Sequence, residues 1–360
     1  MFPACTATDA ARGDGICAAY AGVCRMCCRR FPRLPQRVIA RFYHVLRSGL
    51  CQQDRSVAWV IFDNCYNLLS IGLPGATLLL PYMIKAAVAL LQPGAPPPPA
   101  KVVHGKRKLL SFLCSAVCLP SHLPELSIPF MHGDGRPYTR LDVRDDVQDA
   151  FQCALGQPGL EAECRSMAVW GLCVALDEEF AVFDAQRVPR LTRAILAAVQ
   201  YDEPAVARTA LAALSHIALV HGTRVPADIA SEVVHGLCTA ALAKISGPNT
   251  PRVFLTLADW LLADFALAAF PAATVAAIFR ALEAGLAEGL VAPHLFAQHT
   301  ALDPAVSQPR LLRDAAGNLT ANYAGPGTSA AAGSSSSKKR LATTKKVDAP
   351  KYCVGVSDAV

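Results

Sequence analysis

An all-α fold, an α-solenoid of HEAT/armadillo-like antiparallel helix pairs with disordered ends, is predicted by three observations. Apolar residues recur at helical spacing through 35–295, and no segment alternates apolar and polar long enough to make a confident strand. Prolines open successive apolar runs at Pro204, Pro226, Pro251 and Pro271, where a pre-set φ helps and the missing N–H costs nothing. Helical hairpins then arrive roughly every 35 to 50 residues without a strict sequence repeat, so only stacking of neighbours makes a core.

The elements follow in order. Residues 1–34, rich in Cys and Arg, lack sustained periodicity and read as loose. Arg37–Leu50 is a helix with Val38, Ile39, Phe42, Val45 and Leu46 on one face. Asp54 or Ser56 caps a helix from about Val57 to Leu69, which Gly72 and Pro74 stop. A helix from about Ala76 to Leu91 ends at the prolines of 94–100, and Lys106–Cys118 is followed by a proline-punctuated loop. Pairs come next: Asp142–Gly156 with Glu161–Phe180, Val188–Val199 with Glu203–His221, and Pro226–Ile245 with Pro251–Phe270. Pro271–Leu290 closes the series. Residues 296–350 are rich in Gly, Ser, Ala and Lys and read as a disordered linker; 351–360 regain a β-like run, as if a further domain began there.

Composition bounds the function. The chain has 360 residues and is 53% hydrophobic, 7% aromatic and 17% charged, which suits helices packed through small side chains. Its net charge of +6 lies at the ends: residues 1–56 hold nine Arg against three Asp, while the middle is slightly acidic. A near-neutral body of this kind is not a nucleic-acid-binding domain. The 14 Cys sit mostly inside apolar helical patterns, and the first residues carry no apolar signal core, so a cytoplasmic, reducing location is expected. Lys338, Lys339, Arg340, Lys345 and Lys346 form a short basic block that suits a solvated linker or a nuclear address.

The uncharged run between Asp63 and Lys85 is long enough for a bilayer, but Gly72, Pro74 and Gly75 divide it into pieces too short to cross singly. No membrane span is expected. Gly72, Leu73, Pro74 and Gly75 instead read as a structural joint between two packed helices. A competing reading lets the amides of SIGLPGAT hold an anion at a helix start, yet the stretch offers no Lys or second polar anchor.

Other candidate chemistry is sparse. Cys17, Cys24, Cys27 and Cys28 invite a metal reading, but Cys5 and His44 are the only nearby additions to the set, and unstructured thiols are the simpler reading. In the 131–135 loop, His132 and Asp134 offer a hydrolase or transferase reading without a nucleophile and base that converge. Asp145, Asp146, Asp149, Glu178 and Glu179 read as solvated charge, and His216 and His221 as interior or interface histidines. Asn318-Leu319-Thr320 matches a glycosylation acceptor of little meaning in a cytosolic chain. No cofactor is expected.

LLSIGLPGATLLLPYMIKAA resembles the helical scaffold of the Ral GTPase-activating protein alpha subunits, relatives of tuberin, where a similar Ser-x-Gly-Leu-Pro-Gly-Ala-Thr run links two apolar helices. KLLSFLCSAVCLP with LPEL, CRSMAVWGLCVALDEE, AVARTALAALSHIALVHG and RVFLTLADWLLADF, with its Asp259-Trp260 pair, fall in the same order over roughly 55–290. The resemblance implies a regulatory complex with a beta-type subunit that switches off Ral-type small GTPases. In that family catalysis resides in a separate C-terminal Rap/Ran-type domain, which supplies an Asn to position water. Asn64, Asn67, Asn249, Asn318 and Asn322 stand in nothing like its motif, so no catalytic residue is carried over. The expectation is a non-catalytic scaffold, either a truncated gene product or a scaffold-only relative, with a general helical adaptor as the alternative.

Overall fold

The computed structural model describes Cys5 and residues 13–28, 34–52, 54–129, 136–183, 186–243, 247–263 and 270–287, with two short strands at 311–313 and 319–321. It divides into two units, Met1–Ala292 and Pro293–Val360. The helices of the first are α1 (Gly13–Cys27), α2 (Gln36–Leu50), α3 (Arg55–Cys65), α4 (Leu80–Leu91), α5 (Gly105–Ala116) and the single turn α6 (Leu119–His122). They continue with α7 (Arg140–Gly156), α8 (Ala162–Val182), α9 (Val188–Ala198), α10 (Pro204–His221), α11 (Ala227–Ala243), α12 (Thr250–Leu262) and α13 (Ala272–Ala287). Within the described residues of this unit, the strand pair Ser127–Ile128 (β1) and Tyr138–Thr139 (β2) is a brief antiparallel clip between α6 and α7. In the second unit, Leu311–Arg313 pairs antiparallel with Leu319–Ala321. The all-α expectation is met. The 131–135 loop with His132 and Asp134, the basic block and the 351–360 run lie outside the described residues.

Local chemistry sets the element ends. Asp54 Oδ1 accepts the Ser56 amide at 2.9 Å and opens α3. Asp142 Oδ2 accepts the Thr139 amide at 2.8 Å and the Thr139 hydroxyl at 2.7 Å, holding the start of α7. Burial works to raise the Asp142 carboxyl, but the Thr139 bonds and the Arg136 guanidinium outweigh it and hold the group below its ordinary value. Pro204 and Pro251 occupy first turns, while Pro226 and Pro271 sit just before α11 and α13 and offer their carbonyls to the first free amides.

The helices pack in two rows. In one, α1 lies on α3, α3 on α5, α5 on α8, α8 on α10 and α10 on α12; in the other, α2 lies on α4, α4 on α7, α9 on α11 and α11 on α13. Polar ties repeat that geometry. Lys108 pairs with Asp63 at 2.9 Å, Arg165 with Glu203, Arg190 with Asp149 at 2.6 Å and Arg193 with Glu232 at 2.8 Å. Ser215 meets Thr256, and Ser231 meets Thr274, each at 3.0 Å. These ties, together with the Trp260 indole on Leu214, join residues 38 to 46 positions apart. The period breaks where the clip intervenes: Lys85 reaches Asp146, 61 residues on, at 2.9 Å.

Some expectations shift. The segment 1–34 was expected loose, yet residues 13–27 form α1, whose Tyr20, Val23, Cys24 and Cys27 are buried. Its apolar face is written in Cys and Tyr, a weaker signal than Leu or Val. The helix expected to reach Leu69 ends at Cys65, and the turns that follow still bury Leu68. Likewise α12 stops at Leu262 rather than Phe270. The acidic residues are less solvated than expected. Glu179 is fully buried, taking a 2.8 Å hydrogen bond from Gln148 Nε2 with Arg144 at 3.7 Å, and Asp145, Asp146 and Asp149 tie α7 to other elements.

Glycine allows the closest approach in the array. A Cβ on Gly171 of α8 would lie 2.3–2.6 Å from ring atoms of Phe151 on α7, and that ring is fully buried. Gly171→Ala should therefore cost about 1–3 kcal/mol by overpacking, read as a lower denaturant midpoint. A variant as stable as the parent would show that the ring can yield.

Candidate functional site

The joint is built by the residues that follow α3. Chain 66–72 runs in turns, Gly72 takes φ +70° and Gly75 φ +74°, and a single 3-10 turn over Ala76–Leu79 leads into α4. Both glycines occupy the left-handed region that L side chains rarely adopt. Nothing lies within 4 Å of a Cβ placed on Gly72, so its requirement is conformational alone. At Gly75 the Cβ would touch Leu78 and Tyr43 at 3.5 and 3.6 Å. Leu73 turns inward and is 8% exposed, while Pro74 faces solvent. The Tyr43 hydroxyl of α2 donates to the Pro74 carbonyl at 2.9 Å, tying the crest of the joint to the helix that packs on α4.

Two of the amides at the joint are engaged. Ala76 N–H donates to Leu73 O at 3.2 Å and Leu78 N–H to Gly75 O at 3.0 Å. The following α4 starts with Pro81 in its first turn and buries Leu80, Met83, Ile84, Ala87, Leu90 and Leu91. This arrangement favours a joint over an anion cradle.

The N-terminal thiols are core. Cys24 and Cys27 of α1 and Cys28 just beyond it are buried, Cys17 is half-buried, and Cys28 Sγ lies 3.4 Å from Cys65 Sγ on α3. Burial and the neighbouring thiols push Cys27 up to about 11, and burial drives Cys65 well above the usual thiol range. Neutral thiols of this kind behave as small hydrophobes. Among the described residues, Cys17, Cys24, Cys27 and Cys28 bring no three ligand atoms together at metal-sharing distance.

Among the described residues, several large apolar side chains are exposed toward the end of the first unit. Phe279, Leu282 and Leu286 are exposed at helical spacing along α13, and Leu255 and Leu262 stand out on α12. On α10, Leu219 and Val220 are exposed as well. Among the described residues, one helix (Pro204–Arg224) is long and apolar enough to cross a membrane, and 61% of its apolar window is buried in the fold.

The ties along each row were not read from the sequence. Their only sequence signal is charge and hydroxyl placement some forty residues apart, without a local pattern.

The chain is similar to the Ral GTPase-activating protein alpha subunits. It is 30% identical over 173 residues to the mouse alpha-2 subunit, covering 47% of this chain and 9% of that protein. To the human alpha-1 subunit it is 28% identical over 184 residues, covering 48% of this chain and 8% of that protein. The matched stretch thus spans less than a tenth of either relative. No family model matches the chain. No solved structure matches it.

Proposed function

We propose that the chain is a non-catalytic helical scaffold of a Ral-type GTPase-activating complex, an α-solenoid of HEAT/armadillo type that regulates small-GTPase signalling by binding proteins. The observation that carries the reading is the period: side-chain ties between second-neighbour helices recur 38 to 46 residues apart along both rows. That spacing matches arrays of stacked helix pairs, whose curved faces serve as binding surfaces. The similarity to Ral GTPase-activating alpha subunits supplies the biological setting. The partner in this reading is a beta-type subunit, and the small GTPase is met indirectly. A cytoplasmic location goes with it, supported by the free thiols of the described cysteines.

The reading gives this chain no catalytic residue, because accelerating GTP hydrolysis requires a positioned water and stabilised phosphoryl charge. Purified chain mixed with GTP-loaded Ral should leave the single-turnover hydrolysis rate unchanged, and it should co-elute with the beta-type subunit on size exclusion. A several-hundred-fold acceleration by the chain alone would overturn the non-catalytic assignment. Failure to co-elute would favour the general adaptor.

A further inference from the structure

Between α8 and α10 the first unit gathers a set of metal-ligand groups that the scaffold reading does not use. Cys173 and Asp177 lie one turn apart on α8, and His216 stands opposite on α10. The Cys173 thiol, an Asp177 carboxylate oxygen and an imidazole nitrogen of His216 lie within 4.8 Å of one another. The His216 Nε2 to Asp177 distances are 3.1 and 3.2 Å. Ligand edges around a tetrahedral zinc are on the order of 3.3–3.8 Å, given bonds of 2.0–2.3 Å. The His–Asp edge is already that short, so the set needs only a modest contraction to close on an ion.

We propose that Cys173, Asp177 and His216 form a binding site for a borderline-soft divalent cation of the zinc type. Sulfur and imidazole donors select such an ion over magnesium or calcium, which take oxygen ligands. Access is graded. Cys173 is 1% exposed and closes the inner side, whereas the side chains of Asp177 and His216 are 35% and 38% exposed and leave an outer opening. Three protein ligands leave a fourth position for water.

A neighbour orients the set. His221 Nε2 sits 2.8 Å from Asp177 Oδ1, and its ring stacks on Phe180 with centroids 4.4 Å apart. That contact holds the Asp177 carboxylate in place, as outer partners of metal ligands commonly do. It makes His221 a positioning residue, not a ligand. The plain alternative is a purely polar tie, in which Asp177 brackets two histidines to fasten α10 to α8 and Cys173 simply packs, with its Sγ 4.0 Å from the Ala213 carbonyl.

Cobalt(II) distinguishes the two, because a thiolate ligand gives it a near-ultraviolet charge-transfer band and tetrahedral geometry gives intense visible bands. Titrating the reduced full-length chain with Co²⁺ should produce both bands at one equivalent, and Zn²⁺ should displace them. Cys173→Ser should abolish the charge-transfer band. His216→Gln changes a partly exposed side chain and so keeps the fold intact; it should weaken affinity by about 10-fold or more. His221→Gln should weaken binding while leaving the charge-transfer band in place at saturation. The absence of any bands in the parent would overturn the site. So would bands unchanged in both Cys173→Ser and His216→Gln, since the ion would then lie on other thiols such as Cys28 and Cys65.

Discussion

Trp260→Ala should destabilise the chain by about 3–5 kcal/mol, the usual cost of deleting a fully buried large aromatic. Trp260 projects from α12 into the row, with no exposed surface, and its indole N–H donates to the Leu214 carbonyl of α10 at 3.0 Å. Removing it opens a void at the contact that attaches α12 to the preceding helices of its row. Trp260→Phe restores much of the volume but no N–H. Leu214 O belongs to a helix interior, which can supply its own amide, so the Phe variant should lose only about 1 kcal/mol. In an array held by nearest-neighbour contacts the damage should stay local. Hydrogen exchange should therefore show protection lost in α10, α12 and nearby α11, with α1 to α5 unchanged. An Ala variant within 1 kcal/mol of the parent, or protection lost evenly along the chain, would contradict this view of the array.

The fold was legible because most helices state themselves in local chemistry. Asp54 caps α3, Pro204 and Pro251 open α10 and α12, and the apolar face of α2 can be read directly from Ile39, Phe42, Val45 and Leu46. Where the apolar signal is written in Cys and Tyr, as in α1, periodicity alone did not reveal the helix. Interactions between helices were not legible. Glu179 looks like any acidic residue at a helix end until Gln148, 31 residues before it, is seen to hydrogen-bond one of its oxygens in the core. Cys173, Asp177 and His216 fail to register for the same reason: a Cys-x3-Asp step on one helix and a His 39 residues past the Asp resemble no local metal pattern. The joint is the opposite case. Two glycines and a proline within four residues announce a turn whatever lies around them, and Leu73 is buried beneath it.

That burial sets the largest expected effect at the joint. Leu73→Asp should cost about 3–4 kcal/mol, from the lost transfer of an isobutyl group and the desolvation of a carboxylate without a partner. The penalty should shrink as pH falls through the raised carboxyl pKa of the introduced Asp, because the neutral acid is cheaper to bury; stability relative to the parent should recover toward acid. Gly72 tests the backbone separately. With φ at +70° and no neighbour within 4 Å of its Cβ, any penalty there is conformational and not steric. Gly72→Val should therefore lose about 1–3 kcal/mol, while Gly72→Asn, which tolerates the left-handed region, should recover most of it. Tyr43→Phe removes the hydroxyl that holds the Pro74 carbonyl and should cost about 1 kcal/mol. The anion-site alternative forecasts the reverse: Leu73 would be incidental, and phosphate or nucleotide would raise the melting temperature of the parent. Thermal melts of the four variants with and without nucleotide separate these readings. If Leu73→Asp and Gly72→Val melt with the parent while nucleotide stabilises it, the joint is not what orders this corner. If Val is costly, Asn is not and nucleotide changes nothing, the two left-handed glycines and the buried leucine set the angle at which α4 enters its row.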